Sequence, residues 1–292
     1  MNKEFDILII GGGPAGASAG IYVQRAGVKS AIFNHGQSAL SQAKTISNYY
    51  GFNNISGREL LDKGLNQYLG LGGSVFNEQV VRITKDYQTE NIIVKTASQE
   101  FETKAIIICT GAGVKKIIPE LEDYKDKNVS YCAICDGFFY KDRPVCVIGD
   151  DQFAVNECLE LEGIASKVYM LTNGVDIDAF SGVQVITSKI REVNGLNRVE
   201  EIEFENDKKI NVDGVFVALG SLSSTEIAKQ LGLLTANNCI KVDKNFSTNV
   251  AGVFAGGDVI GGLLQVSKAV SDGAQAGLEA VKYVKIMELN KK

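Results

Sequence analysis

The sequence lacks the features that mark several common classes of protein. Of its 292 residues only His35 is a histidine, no second CxxC accompanies Cys132 and Cys135, and no block of basic residues stands out. The single histidine and the missing second CxxC leave a zinc site incomplete, so we expect no metal. A net charge of -5 without a basic block argues against nucleic acid or an anionic membrane as a partner.

Long apolar runs and an export signal are also missing. No apolar run reaches the roughly 18 residues of a membrane-spanning helix. Met1-Asn2-Lys3-Glu4 leads into a strand without the pattern of a signal peptide, so we expect a cytoplasmic protein. With 45% hydrophobic and 22% charged residues, the 292-residue chain can bury a large core and is long enough for about two domains.

A candidate dinucleotide site follows the first predicted strand. The apolar run from Asp6 to Ile10 continues into a glycine-rich turn, and a helix of small residues then extends to about Ala26. This is a GxGxxG pattern between a strand and a helix, where glycine lets the backbone approach a pyrophosphate and the helix N-terminus attracts it. The expected phosphate-binding residues are Gly11, Gly13, Pro14, Ala15 and Gly16.

The next strand, Ser30 to Phe33, ends at Asn34, where nucleotide-binding domains usually carry an acid for the ribose. His35 lies either beside an adenine or ribose, or in an ordinary surface loop. Short β-branched runs after Ser74 predict a small meander that returns to the nucleotide-binding sheet through the strand Ala105 to Ile108.

A further acid lies near the C-terminus. Asp258 ends a buried strand on a glycine turn, and a helix is predicted from about Gln265 to Ile286. Its carboxylate is placed either to accept hydrogen bonds from a sugar alcohol or to cap a helix.

A second nucleotide-binding pattern begins at Val145 and is inserted inside the first. Here Asp150 and Asp151 follow Gly149, and these carboxylates suit the start of their own helix. They do not suit a pyrophosphate, because two unit charges about 4 Å apart at an effective dielectric of about 20 repel by roughly 4 kcal/mol. After the strand Lys167 to Leu171 no arginine is present for a 2′-phosphate. We predict an α/β fold with two Rossmann-like domains of three-layer ββα type, the second degenerate.

Two of the six cysteines have the spacing of a redox pair. Cys132 and Cys135 lie in Cys-Ala-Ile-Cys-Asp, and a CxxC at a helix start favours thiolate. The other four are expected to be small buried or half-buried apolar residues: Cys109, Cys146, Cys158 and Cys239.

These features together resemble the low-molecular-weight thioredoxin reductases over essentially the full chain. The matching segments are 11–16, 47–52, 110–112, 132–136 and 252–258 with Gln265. The resemblance implies a homodimer, an FAD-binding domain from residues 1–112 and 244–292, and a central disulfide domain from residues 113–243. It also implies a domain rotation that exposes the cysteines alternately to the flavin and to thioredoxin.

The resemblance assigns roles to residues of this chain. Cys135 is then the flavin-facing thiol, Cys132 attacks the thioredoxin disulfide, and Asp136 is a general acid or base, unless it is only a first-turn helix acid. The FAD ligands implied beside the first glycine turn are Asn34, Asn48, Thr110, Gly111, Asp258, Gln265 and Val266.

The chain departs from that family where a nicotinamide would bind. The second GxGxxA and the His-Arg-Arg cluster are absent, and Leu264 replaces an arginine. The Gly-Gly-Gln stretch that lies against the flavin in that family is also lost, around Ser38-Ala39-Leu40. In these departures the chain resembles the ferredoxin-dependent flavin thioredoxin reductases of clostridia. We therefore expect electrons to pass from ferredoxin through FAD and the cysteine pair to thioredoxin.

Other interpretations remain open from the residues. A thioredoxin reductase could use NADPH at a divergent site, a flavodoxin or a second flavin in the central domain. A protein of another class, a non-catalytic flavoprotein whose cysteines sense redox state, would carry the same patterns.

Overall fold

A computed structural model describes residues 5–35, 38–111, 119–124, 127–131, 133–180, 182–219 and 224–290. Contacts between residues divide the chain into two compact units. The first comprises Met1–Val114 with Leu222–Lys292, and the second Lys115–Ser221.

Eighteen strands are found in the described residues. In chain order they are β1 (Ile7–Ile10), β2 (Ser30–Phe33), β3 (Ser74–Phe76), β4 (Val80–Lys85), β5 (Ile92–Thr96), β6 (Glu100–Thr103), β7 (Ala105–Ile108), β8 (Val129–Ser130), β9 (Pro144–Ile148), β10 (Lys167–Leu171), β11 (Val183–Ile186), β12 (Ile190–Asn194), β13 (Glu201–Phe204), β14 (Lys209–Asn211), β15 (Gly214–Val217), β16 (Thr235–Ala236), β17 (Cys239–Ile240) and β18 (Val253–Ala255).

Six α-helices and four 3₁₀ helices connect these strands in the same ranges. The α-helices are α1 (Pro14–Arg25), α2 (Gly57–Gly70), α3 (Ala133–Asp136), α4 (Gln152–Glu162), α5 (Ser224–Leu231) and α6 (Val266–Leu289). The 3₁₀ helices are Ala39–Gln42, Pro119–Tyr124, Gly137–Tyr140 and Asp258–Ile260.

The first unit is built on a five-stranded parallel sheet in the order β18-β7-β1-β2-β3. β1 is apolar throughout because both faces of this sheet are covered. On one face, Ile7 and Ile9 pack in a core with residues of α1 and α6. On the other, the rings of Phe33 in β2 and Phe101 in β6 lie 5.0 Å apart and join the sheet to the antiparallel meander β4-β5-β6.

The second unit repeats this three-layer plan. Its parallel sheet has the order β11-β10-β9-β15-β8, and β12-β13-β14 form an antiparallel meander. Cys146 and Ile148 of β9 pack with Ile202 and Phe204 of the meander. Since side chains alternate along a strand, Val145 and Val147 point to the opposite face. The predicted fold class, two Rossmann-like units of ββα type, is confirmed.

The contact-based division differs from the predicted domain boundary at 243/244, because it places residues 222–243 with the first unit. Helix α5 accounts for this difference. The side-chain oxygen of Gln230 on α5 accepts a hydrogen bond of 2.9 Å from the backbone N–H of Ile83 in β4. That contact attaches α5 to the first meander.

Several predicted elements have the expected bounds, including the strands Ser30–Phe33, Ala105–Ile108 and Lys167–Leu171. The last helix is longer than predicted and runs from Val266 to Leu289. Within the described ranges, none of the helices combines the length and the apolar character needed to cross a membrane.

Candidate functional site

Four parallel strands of the first unit bring predicted cofactor ligands to one edge of its sheet. β1 ends before Gly11, β2 before Asn34, β7 shortly before Thr110 and Gly111, and β18 shortly before Asp258. The carboxyl ends of neighbouring parallel strands meet at the same edge, which is where α/β proteins bind ligands. The structure therefore groups residues that lie up to 247 positions apart in the sequence.

Two glycines at the start of the chain leave no room for a side chain: Gly11 in the turn after β1 and Gly16 in α1. Gly11 has a φ of 108°, and a Cβ added there would lie 2.3 Å from a backbone oxygen. At Gly16 an added Cβ would lie 1.8 Å from the Gly11 oxygen, whereas one added at Gly13 would meet only Ser38 Oγ at an ordinary contact distance of 3.8 Å. α1 begins at Pro14 without a side-chain cap or an acid in its first turn. Its N-terminus suits an anion.

Two buried oxygen atoms at this edge have no hydrogen-bond partner among the described residues. They are Thr110 Oγ1 and Asp258 Oδ1. Burial raises the pKa of the Asp258 carboxyl; the Lys268 ammonium opposes the shift and the Asp272 carboxylate adds to it. A buried acceptor without a donor is costly, so both atoms fit a cofactor that presents hydroxyl or N–H groups to them.

A lysine–aspartate pair on α6 holds the turn that carries Asp258. Lys268 Nζ donates hydrogen bonds to the carbonyl oxygens of Gly257 (3.3 Å) and Gly261 (2.6 Å) and to Asp272 Oδ2 (2.7 Å). The same Asp272 oxygen accepts the Gly257 N–H at 3.2 Å. Lys268 and Asp272 thus fix the backbone on both sides of Asp258.

The Asp258 turn and α6 lie directly on the start of α1. A Cβ added at Gly257 would lie 2.8 Å from Ala15 Cβ, and one added at Gly273 would lie 2.0 Å from the Ala15 oxygen. These close approaches require glycine. They place the carboxylate turn beside the open helix N-terminus, as a cofactor with a phosphate and a polyol chain needs.

Asn48 and Gln265, both predicted ligands, contact each other directly. Asn48 Nδ2 donates a 3.0 Å hydrogen bond to Gln265 Oε1, although 217 residues separate them. Gln265 immediately precedes α6, whose first residue, Val266, lines a cleft of about 530 Å³ together with Pro14 and Tyr49. This contact connects the 47–52 segment to the start of α6.

Asn34 lies against the glycine turn, since a Cβ added at Gly12 would meet Asn34 Oδ1 at 2.5 Å. It also lines a polar cleft of about 410 Å³ with Asp62, Asn66 and Asn77. His35 is exposed. The exposed position fits the surface-loop interpretation of His35, and Asn34 lies beside the glycine turn.

The corresponding turn of the second unit is built differently. Asp151 stands at the second glycine position of the pattern, immediately before α4, and its Oδ1 accepts the Ala154 N–H at 3.1 Å. Asp150 is exposed beside it. The helix N-terminus that would hold a phosphate is therefore capped by the protein's own carboxylate, as predicted.

The segment after β10 forms its own local hydrogen bonds. The Thr172 hydroxyl donates to the Val175 carbonyl oxygen, and Asn173 Oδ1 accepts the Ile190 N–H at 3.0 Å. No arginine occurs between Thr172 and Asp178.

The predicted redox residues are only partly described. Cys132 lies outside the described residues, as does the side chain of Cys135, whose backbone belongs to α3. Asp136 ends α3, and its Oδ2 accepts a 2.6 Å hydrogen bond from the Ser130 hydroxyl. Burial, with a contribution from the Asp136 carboxylate, raises the pKa of Tyr140. A helix does follow Cys132, as the CxxC pattern predicted.

The remaining cysteines are described and match their prediction. Cys109, Cys146 and Cys158 are buried, and Cys239 is half-buried. Burial raises the pKa of Cys109 to about 12 and raises the pKa values of the Cys146 and Cys158 thiols well above their ordinary value. Their burial predicts that these three thiols react slowly in the folded chain.

Sequence reasoning missed three residues of these sites. Lys268 and Asp272 have the i, i+4 spacing of an ordinary helix ion pair, which gave no sign of their role in the Asp258 turn. Glu157 was also missed, although it falls in the apolar stripe of α4 and is 3% exposed. A charged residue inside an apolar helical stripe is the signal that could have found it.

Comparisons with known proteins identify the family. The sequence profile of the pyridine nucleotide-disulphide oxidoreductases matches residues 5–273. A thioredoxin reductase from Ureaplasma parvum serovar 3 is 33% identical, with 97% of this chain and 98% of the relative aligned. The solved atypical thioredoxin reductase TRi from Desulfovibrio vulgaris Hildenborough is 33% identical with a TM-score of 0.86, over 97% of this chain and 98% of that one.

A second solved structure, a ferredoxin-flavin thioredoxin reductase from Clostridium acetobutylicum, is 30% identical with a TM-score of 0.72 and full coverage of both chains. Proteins of this kind are flavoprotein oxidoreductases, so a flavin is implied. The chain belongs to the pyridine nucleotide-disulphide oxidoreductase family and, within it, to the thioredoxin reductases.

Proposed function

We propose that the protein is a thioredoxin reductase that takes electrons from reduced ferredoxin and passes them through FAD and a Cys132–Cys135 disulfide to thioredoxin. In this proposal residues 1–112 and 244–292 form the FAD-binding domain, and residues 113–243 form the disulfide domain. The observation that carries the choice of donor is the difference between the two glycine turns.

The first turn is open to a phosphate and the second is not. α1 has an uncapped N-terminus at Pro14, whereas the start of α4 is capped by Asp151 with Asp150 beside it. A pyrophosphate at α4 would have to displace the cap and would meet a repulsion of roughly 4 kcal/mol per close carboxylate. That cost weakens nucleotide binding by nearly a thousandfold. We infer that the second unit no longer binds NADPH, whereas the first unit still binds FAD.

An iron–sulfur donor suits the remaining chemistry. A flavin accepts one or two electrons, so it can collect single electrons and reduce a disulfide with a pair. A plant-type ferredoxin near -400 mV lies about 130 mV below thioredoxin near -270 mV, which makes the transfer favourable by roughly 6 kcal/mol for two electrons. The ferredoxin named for the Clostridium acetobutylicum relative supports the same donor.

Several residues of the first unit are proposed to hold FAD. The α1 turn, with Gly11, Gly13, Pro14, Ala15 and Gly16, binds the pyrophosphate, and Asn34 contacts the ribose. Polyol and ring atoms are bound by residues on the other segments: Asn48, Thr110, Gly111, Asp258, Gln265 and Val266. The unpartnered acceptors at Thr110 and Asp258 support this assignment.

The second unit is proposed to supply the thiol chemistry and a docking surface. Cys135 faces the flavin, Cys132 attacks the thioredoxin disulfide, and Asp136 protonates the leaving thiolate. Phe138 and Phe139 follow at once and are 75% and 74% exposed. Such exposed aromatic side chains beside the disulfide suit the apolar surface around the disulfide of a protein substrate.

The test is to mix the purified protein anaerobically with excess NADPH or with reduced ferredoxin, and to follow loss of the visible absorption of oxidised flavin. Ferredoxin alone should bleach the flavin, and oxidised thioredoxin should restore the colour. The Cys135→Ser variant should bleach but not recover, while Cys239→Ser should behave as the wild type. Rapid bleaching by NADPH would contradict the proposed donor, and bleaching without recovery in the wild type would contradict the proposed substrate.

One observation favours NADPH at a divergent site as a second candidate. Lys189 Cε lies 3.5 Å from the position a Cβ on Gly174 would take, just after β10. A lysine there would attract the 2′-phosphate of NADPH by its charge. It lacks the paired N–H groups with which an arginine guanidinium binds a phosphate. Lys189→Met would then abolish bleaching by NADPH and leave bleaching by ferredoxin unchanged.

We also propose that the protein is a homodimer. The cleft beside Pro14 is lined partly by apolar side chains, including Ile21 and Phe52, and Tyr22 is 41% exposed. An apolar surface of this kind marks a candidate interface. Sedimentation velocity should give twice the 31.4 kDa chain mass.

A further inference from the structure

Helix α4 carries an acid on its buried face. Phe153, Ala154, Cys158 and Leu161 form the buried stripe that packs toward the sheet, and each is at most 2% exposed. Glu157 lies in the same stripe and is 3% exposed. An ionised side chain at such a position is unfavourable unless specific contacts stabilise it.

One contact of Glu157 lies within the CxxC segment. Its Oε2 accepts a 2.5 Å hydrogen bond from the backbone N–H of Ala133, which is 1% exposed. In the sequence Ala133 directly follows Cys132, and it is the first residue of α3, which includes Cys135. The Glu157 carboxylate therefore accepts a hydrogen bond from the backbone between the two cysteines.

The hydrogen bond alone does not account for a glutamate. A glutamine has the same shape and would accept the Ala133 N–H without the cost of burying a charge. The feature that distinguishes the carboxylate is its negative charge in a region of low dielectric. That charge acts on nearby thiols, since both burial and Glu157 raise the pKa of the neighbouring Cys158.

Electrostatic interactions link several titratable groups of this unit in pairs. Glu157 acts on Cys158 of α4, Cys158 acts on Cys146 of β9, and Asp136 of α3 acts on Tyr140 of the following 3₁₀ helix. The side chains of β9 and β10 on the α4 face of the sheet are apolar: Val145, Val147, Val168 and Met170. In its ionised form Asp136 acts on the pair in the same direction as Glu157.

We propose that Glu157 is a positioning residue of the redox pair, which holds the CxxC backbone through Ala133 and whose negative charge disfavours the reduced, thiolate form. This inference rests on the proposed function, which supplies the disulfide. A charge that opposes the thiolate makes the reduced pair a stronger reductant, as a pair that passes electrons onward to thioredoxin requires.

The inference is tested at equilibrium with dithiothreitol and without a protein partner. Dithiothreitol gives two electrons to the Cys132–Cys135 disulfide, the S–S bond breaks, the two sulfurs take up the two thiol protons, and dithiothreitol closes to its cyclic disulfide. Alkylation followed by mass spectrometry of the peptide with both cysteines measures the reduced fraction. The rate of alkylation against pH gives the midpoint of thiolate formation.

Glu157→Gln keeps an oxygen for Ala133 and removes the charge. It should raise the equilibrium constant for reduction about tenfold, equivalent to about 30 mV for two electrons, and move the alkylation midpoint about one pH unit lower. Glu160→Gln removes the same charge one turn along the same helix and should change neither value. Glu157→Asp keeps the charge and should retain the wild-type midpoint, which keeps the inference testable if the glutamine variant does not fold.

The outcomes separate this inference from the proposed function. A reversible disulfide whose constant and midpoint are the same in wild type and Glu157→Gln overturns the role of Glu157 alone. A tenfold shift in Glu157→Asp also overturns it, because the charge is retained. If wild-type Cys132 and Cys135 form no reversible disulfide, the proposed function fails and this inference fails with it.

Discussion

Replacing Asp258 with asparagine should change the stability of the flavin-free protein and its flavin affinity in opposite directions. Asp258 Oδ1 is buried and has no hydrogen-bond partner among the described residues. A buried acceptor in that condition costs about 1–3 kcal/mol. Asparagine has the same shape as aspartate but carries no charge. Asp258→Asn therefore removes a buried charge, and we expect the free energy of unfolding of the flavin-free protein to rise by about 1 kcal/mol.

The affinity of the variant for flavin should fall. A hydrogen bond from a cofactor hydroxyl to a charged acceptor contributes about 1.5–3 kcal/mol. The amide oxygen of asparagine can still accept, so the variant loses only the contribution of the charge, about 1–1.5 kcal/mol. Binding should therefore weaken by about tenfold, since each 1.4 kcal/mol is about tenfold. Lys268 and Asp272 still hold the turn in the variant, so the backbone of the site should be unchanged.

The gain in stability should also depend on pH. Because burial raises the pKa of Asp258, the folded protein binds the proton more tightly than the unfolded chain does. The stabilising contribution of the protonated group is complete below the unfolded pKa of about 3.9 and is lost as pH rises through the raised folded value. The advantage of Asp258→Asn should therefore be absent at low pH and appear as pH rises.

Urea unfolding of the flavin-free protein at several pH values measures the first effect, and titration with FAD, followed by quenching of flavin fluorescence, measures the second. Asp178→Asn, an exposed aspartate of the second unit, is the control and should leave both quantities unchanged. A variant that loses stability without flavin and binds FAD normally would refute the reasoning, because Asp258 would then stabilise the fold and not the cofactor.

Three further predictions concern the second unit and the buried thiols. Asp151→Ala should lower the free energy of unfolding by about 1 kcal/mol through loss of the helix cap, seen as a lower urea midpoint; an unchanged midpoint would contradict the cap. Phe138→Ser with Phe139→Ser should raise the KM for thioredoxin about tenfold and leave reduction of a small aromatic disulfide unchanged; equal loss with both substrates would argue against docking. Iodoacetamide at mildly alkaline pH should leave Cys109 and Cys158 unlabelled until denaturant is added, because burial raises both thiol pKa values; labelling of the folded protein would show that the core opens.

Local patterns were enough to predict the fold class and the first glycine turn. Strands buried on both faces read as continuous apolar runs. The Gly16 position accepts only glycine because the backbone oxygen of Gly11, five residues earlier, would lie 1.8 Å from a Cβ. The cap at Asp151 could also be predicted, because a helix cap joins residues three positions apart. These features depend on neighbours in the sequence.

Contacts across long sequence separations were decided by the tertiary structure. Asn48 meets Gln265 over 217 residues, and Glu157 meets Ala133 over 24, because packing of helices on a sheet brings distant segments together. Helix α5 is attached to the first meander through Gln230 and Ile83, which lie far apart in the sequence.

The sequence by itself determined which elements form and which chemistry they carry, since periodicity, glycine turns and cysteine spacing are local properties. Only the tertiary structure decided that Asp258 has a buried acceptor without a donor and that Glu157 contacts the CxxC backbone. The reason is that burial and dielectric depend on everything packed around a side chain, and no single stretch of sequence contains those neighbours.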